Sequence, residues 1–167
     1  MNAKIMPGLS LLLILALSLC LNAPEEPPKA RASPVPESLG GLPLFSHTSG
    51  EAALRELSMM HGESEKLILT DGHIATYGSS GEVVLWIGET EGKETAQRLL
   101  EYMNERMGAS GSFSKPLLRI ISDRGVYFVT GMGASNYYFA SDRDVVWIGV
   151  KSPGPGSGDA VVLEFLQ

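Results

Sequence analysis

Two segments of this sequence would be apolar on both faces if each formed a β-strand. "EVVLWIG" (82–88) and "DVVWIGV" (144–150) are rich in β-branched and aromatic residues, and both contain Trp-Ile-Gly. A strand that is half exposed would be polar on its second side. Both segments must therefore be covered on two sides, which predicts a layered fold with these strands inside a sheet.

Alternation gives the two sides of these strands different side chains. The aliphatic face carries Val83, Leu85, Ile87, Val146, Ile148 and Val150. The tryptophan face carries Val84, Trp86, Gly88, Val145, Trp147 and Gly149. The apolar stripe of a helix at 93–107 is expected to cover the aliphatic face. The tryptophan face needs another cover, which is a helix at 50–61, a second copy of the chain in a homodimer, or a ligand.

The remaining segments predict an α+β domain. "EKLILT" and "HIATYG" flank an Asp-Gly turn at 71–72, and "LLRIISD", "GVYFVTG" and "YYFASD" alternate with turn residues. A short helix is expected at 160–166. We predict one twisted antiparallel sheet of about six or seven strands with two or three helices. The repeated Trp-Ile-Gly strands, each followed by a helix, indicate two pseudo-repeated hairpin–strand–helix halves.

The amino-terminal segment has the composition of an export signal. No charge occurs between Lys4 and Glu25, and "LSLLLILALSLCL" (9–21) is almost wholly apolar. Residues 1–23 are therefore predicted to be a signal peptide or a membrane anchor that contacts the membrane through 5–23. Cys20, at the end of this run, is a candidate for lipidation. Each alternative places the rest of the chain outside the cytoplasm, either membrane-anchored or secreted.

A proline-rich segment follows. Residues 24–43 hold six of the ten prolines, which predicts an extended tether without core residues. Residues 44–167 are expected to form a single extracytoplasmic domain. Because Cys20 is the only cysteine, no disulfide can stabilise that domain, and its stability must come from a hydrophobic core.

The stretch "GMGASNYYF" (131–139) is interpreted as a bend. A phosphate-binding loop requires a helix after the glycines, whereas a β-forming run follows here. Gly131 and Gly133 are expected to allow positive φ between paired strands. Nucleic acid is not expected as a partner, because the net charge is −6 and the cations are not clustered.

Catalytic and metal-binding signals are sparse. His61, Glu63 and His73 form an alternative metal set, but their spacing matches no established ligand pattern, and no cofactor is expected. No nucleophile motif such as G-x-S-x-G occurs. An exported hydrolase that uses turn carboxylates and His73 is the alternative function.

The segments "VYFVTGMGASNYYFASDRDVVWIGV", "FSKP" and "VVLWIGETEGKETAQRLLEYM" resemble a family of uncharacterised exported archaeal proteins. In that family a Gly-Met-Gly turn leads into a Tyr-Tyr-Phe strand and then a tryptophan strand. The resemblance covers about residues 83–150 and implies a location and a fold, without an activity.

The main functional prediction is a non-enzymatic binding or accessory domain outside the cytoplasm. Its partner is expected to be a protein or a small molecule. The glycines at 88 and 149 would leave a shallow apolar groove beside the tryptophans. The ligand-binding candidates are Trp86, Trp147, Tyr137 and Tyr138.

Overall fold

The computed structural model describes residues 33–61, 69–109, 111–151 and 157–167. These ranges belong to one compact unit that extends from Ser33 to Gln167. The predicted export segment, with Cys20, lies outside the described residues, as does Glu63. Within the described ranges, no helix is both long enough and apolar enough to cross a bilayer.

The described residues form an eight-stranded antiparallel sheet and three helices. The strands are β1 (Ser38–Leu39), β2 (Leu42–Ser49), β3 (Asp71–Tyr77), β4 (Val83–Glu89), β5 (Leu117–Ile121), β6 (Arg124–Gly131), β7 (Ala134–Ser141) and β8 (Asp144–Lys151). The helices are α1 (Glu51–His61), α2 (Lys93–Ala109) and α3 (Ser157–Phe165). The strand order is β1-β2-β3-β4-β8-β7-β6-β5. The α+β class is confirmed, while the predicted strand count was too low because β1 and β2 add an edge.

The predicted turn at Asp71-Gly72 is wrong. Both residues belong to β3, where they pair with Glu89 and Gly88 of β4. Extending the ladder satisfies backbone groups that a turn would leave to solvent, and the Asp71 carboxylate accepts a hydrogen bond from the Gly72 amide at 2.7 Å. Most of the segment "EKLILT" lies outside the described residues.

Two-residue turns connect the last four strands. They are Ser122-Asp123, Met132-Gly133 and Asp142-Arg143. At the second turn φ is +54° for Met132 and +74° for Gly133, which matches the twist of a tight hairpin. The bend predicted at "GMG" is therefore confirmed, although the positive φ falls on Met132 and Gly133, and Gly131 is the last residue of β6.

The two sheet faces are covered by different helices. The aliphatic face forms the larger core cluster with Val161 and Val162 of α3. The apolar stripe of α2, which includes Leu100 and Met103, packs on the tryptophan face. The expectation that α2 covers the aliphatic face is therefore wrong. The reason is that an apolar stripe predicts that the helix packs on the sheet, but it does not select the face when both faces are apolar.

The carboxyl end of the proline-rich segment belongs to the domain. Leu39 in β1 is fully buried in the larger core cluster. The Tyr77 hydroxyl, also in that core, donates a hydrogen bond to the Pro36 carbonyl at 3.1 Å. The predicted tether boundary at residue 43 is wrong, because the short β1–β2 pairing places an apolar side chain of this segment over the sheet edge.

The strand order is symmetric about the β4–β8 pair, but the helices are not. Trp86 lies directly opposite Trp147 across this pair. A twofold axis that relates two neighbouring antiparallel strands is perpendicular to the sheet, so it maps each sheet face onto itself. Two repeated halves would therefore place α2 and α3 on the same face. They lie on opposite faces, and α1 has no counterpart between β6 and β7.

Candidate functional site: an apolar groove on the tryptophan face

A row of stacked aromatic rings crosses the tryptophan face. Tyr127, Tyr138, Trp147 and Trp86 lie opposite one another on β6, β7, β8 and β4. The successive ring centroids are 5.4, 5.3 and 5.9 Å apart, with interplanar angles of 21°, 14° and 21°. Directly opposed aromatic side chains of this kind stabilise neighbouring strands.

The helices cover only part of this row. Helix α2 packs over Tyr138 and Trp147, and Trp147 retains 7% of its exposure. Helix α1 contacts Ile74 and the half-buried Trp86 at the other side. The expectation that the helix at 50–61 covers the tryptophan face is thus correct only for Trp86 and its neighbours.

A groove of about 400 Å³ remains between the two helices. This volume lies in the range of small-molecule sites, roughly 300–1,000 Å³. The tryptophan face forms its floor, and its walls are apolar side chains of α1, α2 and nearby loops, including Leu57, Leu69, Leu99, Met103, Met107 and Phe113. Flexible methionines adapt to ligands of different shapes. The groove is therefore suited to an apolar ligand.

The two floor glycines act differently. A Cβ at Gly88 would lie 2.8 Å from Cδ2 of Leu69, so Leu69 occupies the space above this glycine. A Cβ at Gly149 would lie 3.1 Å from Oδ1 of Asn136 and 3.7 Å from Nε1 of Trp147. Gly149 thus keeps a polar part of the floor accessible, whereas Gly88 allows the groove to be closed at its other end.

Met132 lies at the rim of the groove in a backbone conformation that methionine rarely adopts. It is 83% exposed, and its φ of +54° lies in the left-handed region. Two-residue turns with two positive φ values prefer Asn-Gly. A large apolar side chain at this position costs backbone energy that a turn alone does not require, so it favours a functional role at the groove.

Replacing Met132 by asparagine should separate stability from binding. We expect the free energy of unfolding to rise by about 0.5–1 kcal/mol, because asparagine tolerates positive φ. Binding of a neutral apolar probe should weaken, because the rim loses an apolar side chain. Ser122→Asn, at the same position of the β5–β6 turn (φ +51°), is the matched control. It should leave probe binding unchanged, and equal effects of both variants on binding would contradict a role for Met132.

The four predicted ligand-binding residues are not all brought together. Trp86 and Trp147 line the groove. Tyr138 is stacked on Trp147 beneath α2 and donates a hydrogen bond to Asn104 Oδ1 at 3.1 Å. Tyr137 lies on the opposite face of β7, where burial and then a hydrogen bond to Asp159 raise its pKa. Strand alternation explains this separation, since adjacent residues point to opposite faces.

On the opposite side of the sheet, a polar cluster lies at one end of the aliphatic face. His73 Nε2 is 3.4 Å from Glu89 Oε1, and Arg143 Nη2 is 2.5 Å from Glu89 Oε2. Asp71, His73 and Glu89 are the described residues that could hold a metal ion together. Of the predicted set His61, Glu63 and His73, the His61 side chain and Glu63 lie outside the described residues.

His47 extends this cluster and makes it sensitive to pH. Its ring is stacked on His73 at 5.4 Å, with Nε2 3.2 Å from Nδ1 of His73. Burial, and then the charge of His73, lower the pKa of His47 below its ordinary 6.5. The unfolded chain therefore binds a proton at His47 more readily than the folded chain does.

Stability should consequently fall as the pH drops through the range just below 6.5. The difference in unfolding free energy between neutral pH and pH about 5 should be smaller in His47→Gln than in the original protein, as measured by urea denaturation. An equal difference in both proteins would show that His47 does not contribute.

Comparison with protein families, with curated proteins and with solved structures found no match for this chain.

The sequence did not reveal the walls of the groove or the partners of His73. Leu99, Met103 and Met107 indicated a helix with an apolar stripe, but not which sheet face this stripe covers. Glu89 and Arg143 are 54 residues apart in sequence and meet only because β4 pairs with β8. The methionine at a turn position that prefers asparagine was the signal that could have indicated the rim.

Proposed function

We propose that this chain is a non-enzymatic, extracytoplasmic binding domain that holds a small apolar molecule in the groove on its tryptophan face. The observation that carries this proposal is the groove itself, which is open above two stacked tryptophans and lined almost wholly by apolar side chains. Open apolar surface between packed helices costs stability unless a ligand uses it.

The proposed location follows from the uncharged segment 5–23. Such a segment, retained as an anchor or cleaved after export, leaves residues 33–167 outside the cytoplasm. In this setting the domain acts as a carrier or accessory component for a ligand or a protein partner at the cell surface. The groove lies over the β4–β8 pair, about which the strand order is symmetric although the helices are not.

A substitution that fills the groove should abolish binding. Ala134 is a half-buried wall residue of β7, and a phenylalanine there should occupy the groove. Binding of N-phenyl-1-naphthylamine, a neutral fluorescent probe, to residues 33–167 should fall at least tenfold in Ala134→Phe.

Ser135→Phe is the matched control for this substitution. Ser135 precedes Asn136 on the same strand and lies half-buried on the opposite face. This variant should bind the probe as the original protein does. Unchanged binding in Ala134→Phe, or equal loss in both variants with their folds intact, would overturn the proposal.

An exported hydrolase is the second candidate, because Asp71, His73 and Glu89 converge. The support is weaker, since His73 and Glu89 are 8% and 6% exposed and Glu89 is paired with Arg143. Hydrolysis of nitrophenyl esters that is lost in His73→Gln, with folding retained, would favour this candidate over the binding domain. Equal hydrolysis in both proteins would exclude it.

A further inference from the structure

We infer that the groove takes an amphiphile with a single apolar chain and an anionic head, of the fatty-acid type. The apolar chain lies along β4 and β8, and the head lies beside Lys151. This inference rests on the proposed function and specifies its ligand class.

The charge in the groove is of one sign and lies at one end. Among the described residues that line the groove, Lys151 is the only charged one, in a chain whose net charge is −6. It follows Trp147 and Gly149 on the same side of β8 and is the last residue of that strand. Its Nζ lies 3.7 Å from the position of a Cβ at Gly81, so the ammonium group lies at the turn between β3 and β4.

Lys151 has no carboxylate partner among the described ion pairs. Arg55, Arg119 and Arg143 are each paired with a carboxylate, whereas Lys151 is not. The nearby Glu82 carboxylate accepts a hydrogen bond from the Ser80 amide at 3.0 Å and serves the β3–β4 turn. The ammonium of Lys151 is therefore available to an anion at the groove end.

Two further polar groups lie at the same end of the groove. Asn136 Oδ1 and Trp147 Nε1 flank Gly149, which is two residues before Lys151. The amide nitrogen of Asn136 is held by the carbonyls of Gly131 and Ala134, both at 3.2 Å. Among the described hydrogen bonds the indole N–H of Trp147 has no acceptor, so it can donate to an oxygen of the head group.

The other end of the groove is apolar. Val145 and Gly88 lie opposite each other there, Leu69 lies over Gly88, and Leu57 lies over Gly72, the partner of Gly88 on β3. From Val84 to Gly88 the floor extends roughly 14 Å at about 3.4 Å per residue, which suits a chain that lies along the strands. A polar end and an apolar end on one narrow floor select a single-chain amphiphile over a compact apolar molecule.

The test uses the full chain in lipid nanodiscs and photoreactive ligands. Decanoate, decanol and decyltrimethylammonium analogues, each with a diazirine at the tail end, are bound at equal concentration, irradiated, and mapped by mass spectrometry. The decanoate analogue should label the protein most strongly. Because its head lies at Lys151, the label should fall near Leu57 and Gly88.

Substitution of the lysine tests the role of the charge. Lys151→Met keeps the apolar stem of the side chain and should lower labelling by the decanoate analogue about three- to fivefold, the size expected of an exposed ion pair. Labelling by the decanol analogue should not change. Lys115→Met, an exposed lysine outside the groove, is the matched control and should have no effect.

The outcomes distinguish the ligand class from the groove function. One outcome is that all three analogues label the groove equally, with no change in Lys151→Met. That result would overturn the inference of an anionic head group but would leave the groove as a binding site. Label near Lys151 and Met132 would show that the ligand lies in the opposite direction and would also overturn it. Absence of label from the groove with every analogue would overturn the proposed function itself.

Discussion

Replacing Trp147 by alanine is expected to lower the free energy of unfolding by about 3–5 kcal/mol. Trp147 is 7% exposed, lies between the rings of Tyr138 and Trp86, and meets the edge of Phe113 at a centroid distance of 5.7 Å. The substitution removes the centre of the aromatic row, so three neighbouring rings lose a contact at once. Urea denaturation followed by circular dichroism measures the change.

Trp86→Ala is the matched control for this substitution. Trp86 has the same side chain on the same face, but it is half-buried, and among the described rings it is stacked only on Trp147. This substitution should lower the free energy of unfolding by about 1–2 kcal/mol, because Trp86 buries less apolar area than Trp147 does. A larger loss for Trp86 than for Trp147 would contradict the arrangement in which α2 covers Trp147 and the groove exposes Trp86.

A chain that begins at Leu42 is expected to lose cooperative folding, whereas one that begins at Ser33 should keep it. The shorter chain lacks Leu39, whose removal from a core costs about 2–5 kcal/mol. It also leaves the buried hydroxyl of Tyr77 without the Pro36 carbonyl, which costs roughly 1–3 kcal/mol more. Together these losses approach the whole stability of a typical small domain, about 5–15 kcal/mol.

Thermal unfolding of the two chains measures this difference. Leu39→Ala in the longer chain separates the contribution of the Leu39 side chain from that of the deleted backbone. It should account for about half or more of the stability that the shorter chain loses. A shorter chain that unfolds cooperatively, at nearly the same temperature as the longer one, would show that β1 is dispensable.

Local patterns in the sequence were sufficient to predict most of the individual elements. The spacing of Ala96, Leu100 and Met103 located α2, and the two-sided apolar strands located β4 and β8, because periodicity is a property of one segment. Alternation also placed Trp86 and Trp147 on the same face, although it did not predict that they lie opposite each other. The suggestion of an apolar groove beside Gly149 followed from the same alternation.

Features that depend on two distant segments could not be predicted. Nothing local in the α2 stripe distinguishes the aliphatic face from the tryptophan face, since both are apolar. Leu39 was assigned to the tether because prolines surround it, whereas its burial depends on β2 and α3. The Asp-Gly pair at 71–72 favours a turn on its own, but pairing with β4 places both residues in a strand.

The position of β8 beside β4 also determines when this domain can fold. Partner strands at the centre of the sheet are separated by about sixty residues, and β8 is the last of the described strands. Non-local pairing of this kind slows folding, because the chain must close a long loop before the contacts form. A chain that emerges amino-terminus first leaves one edge of β4 unpaired until β8 arrives. The sheet is therefore completed late in folding, and until then the strand that carries Trp86 is open to pairing with other chains.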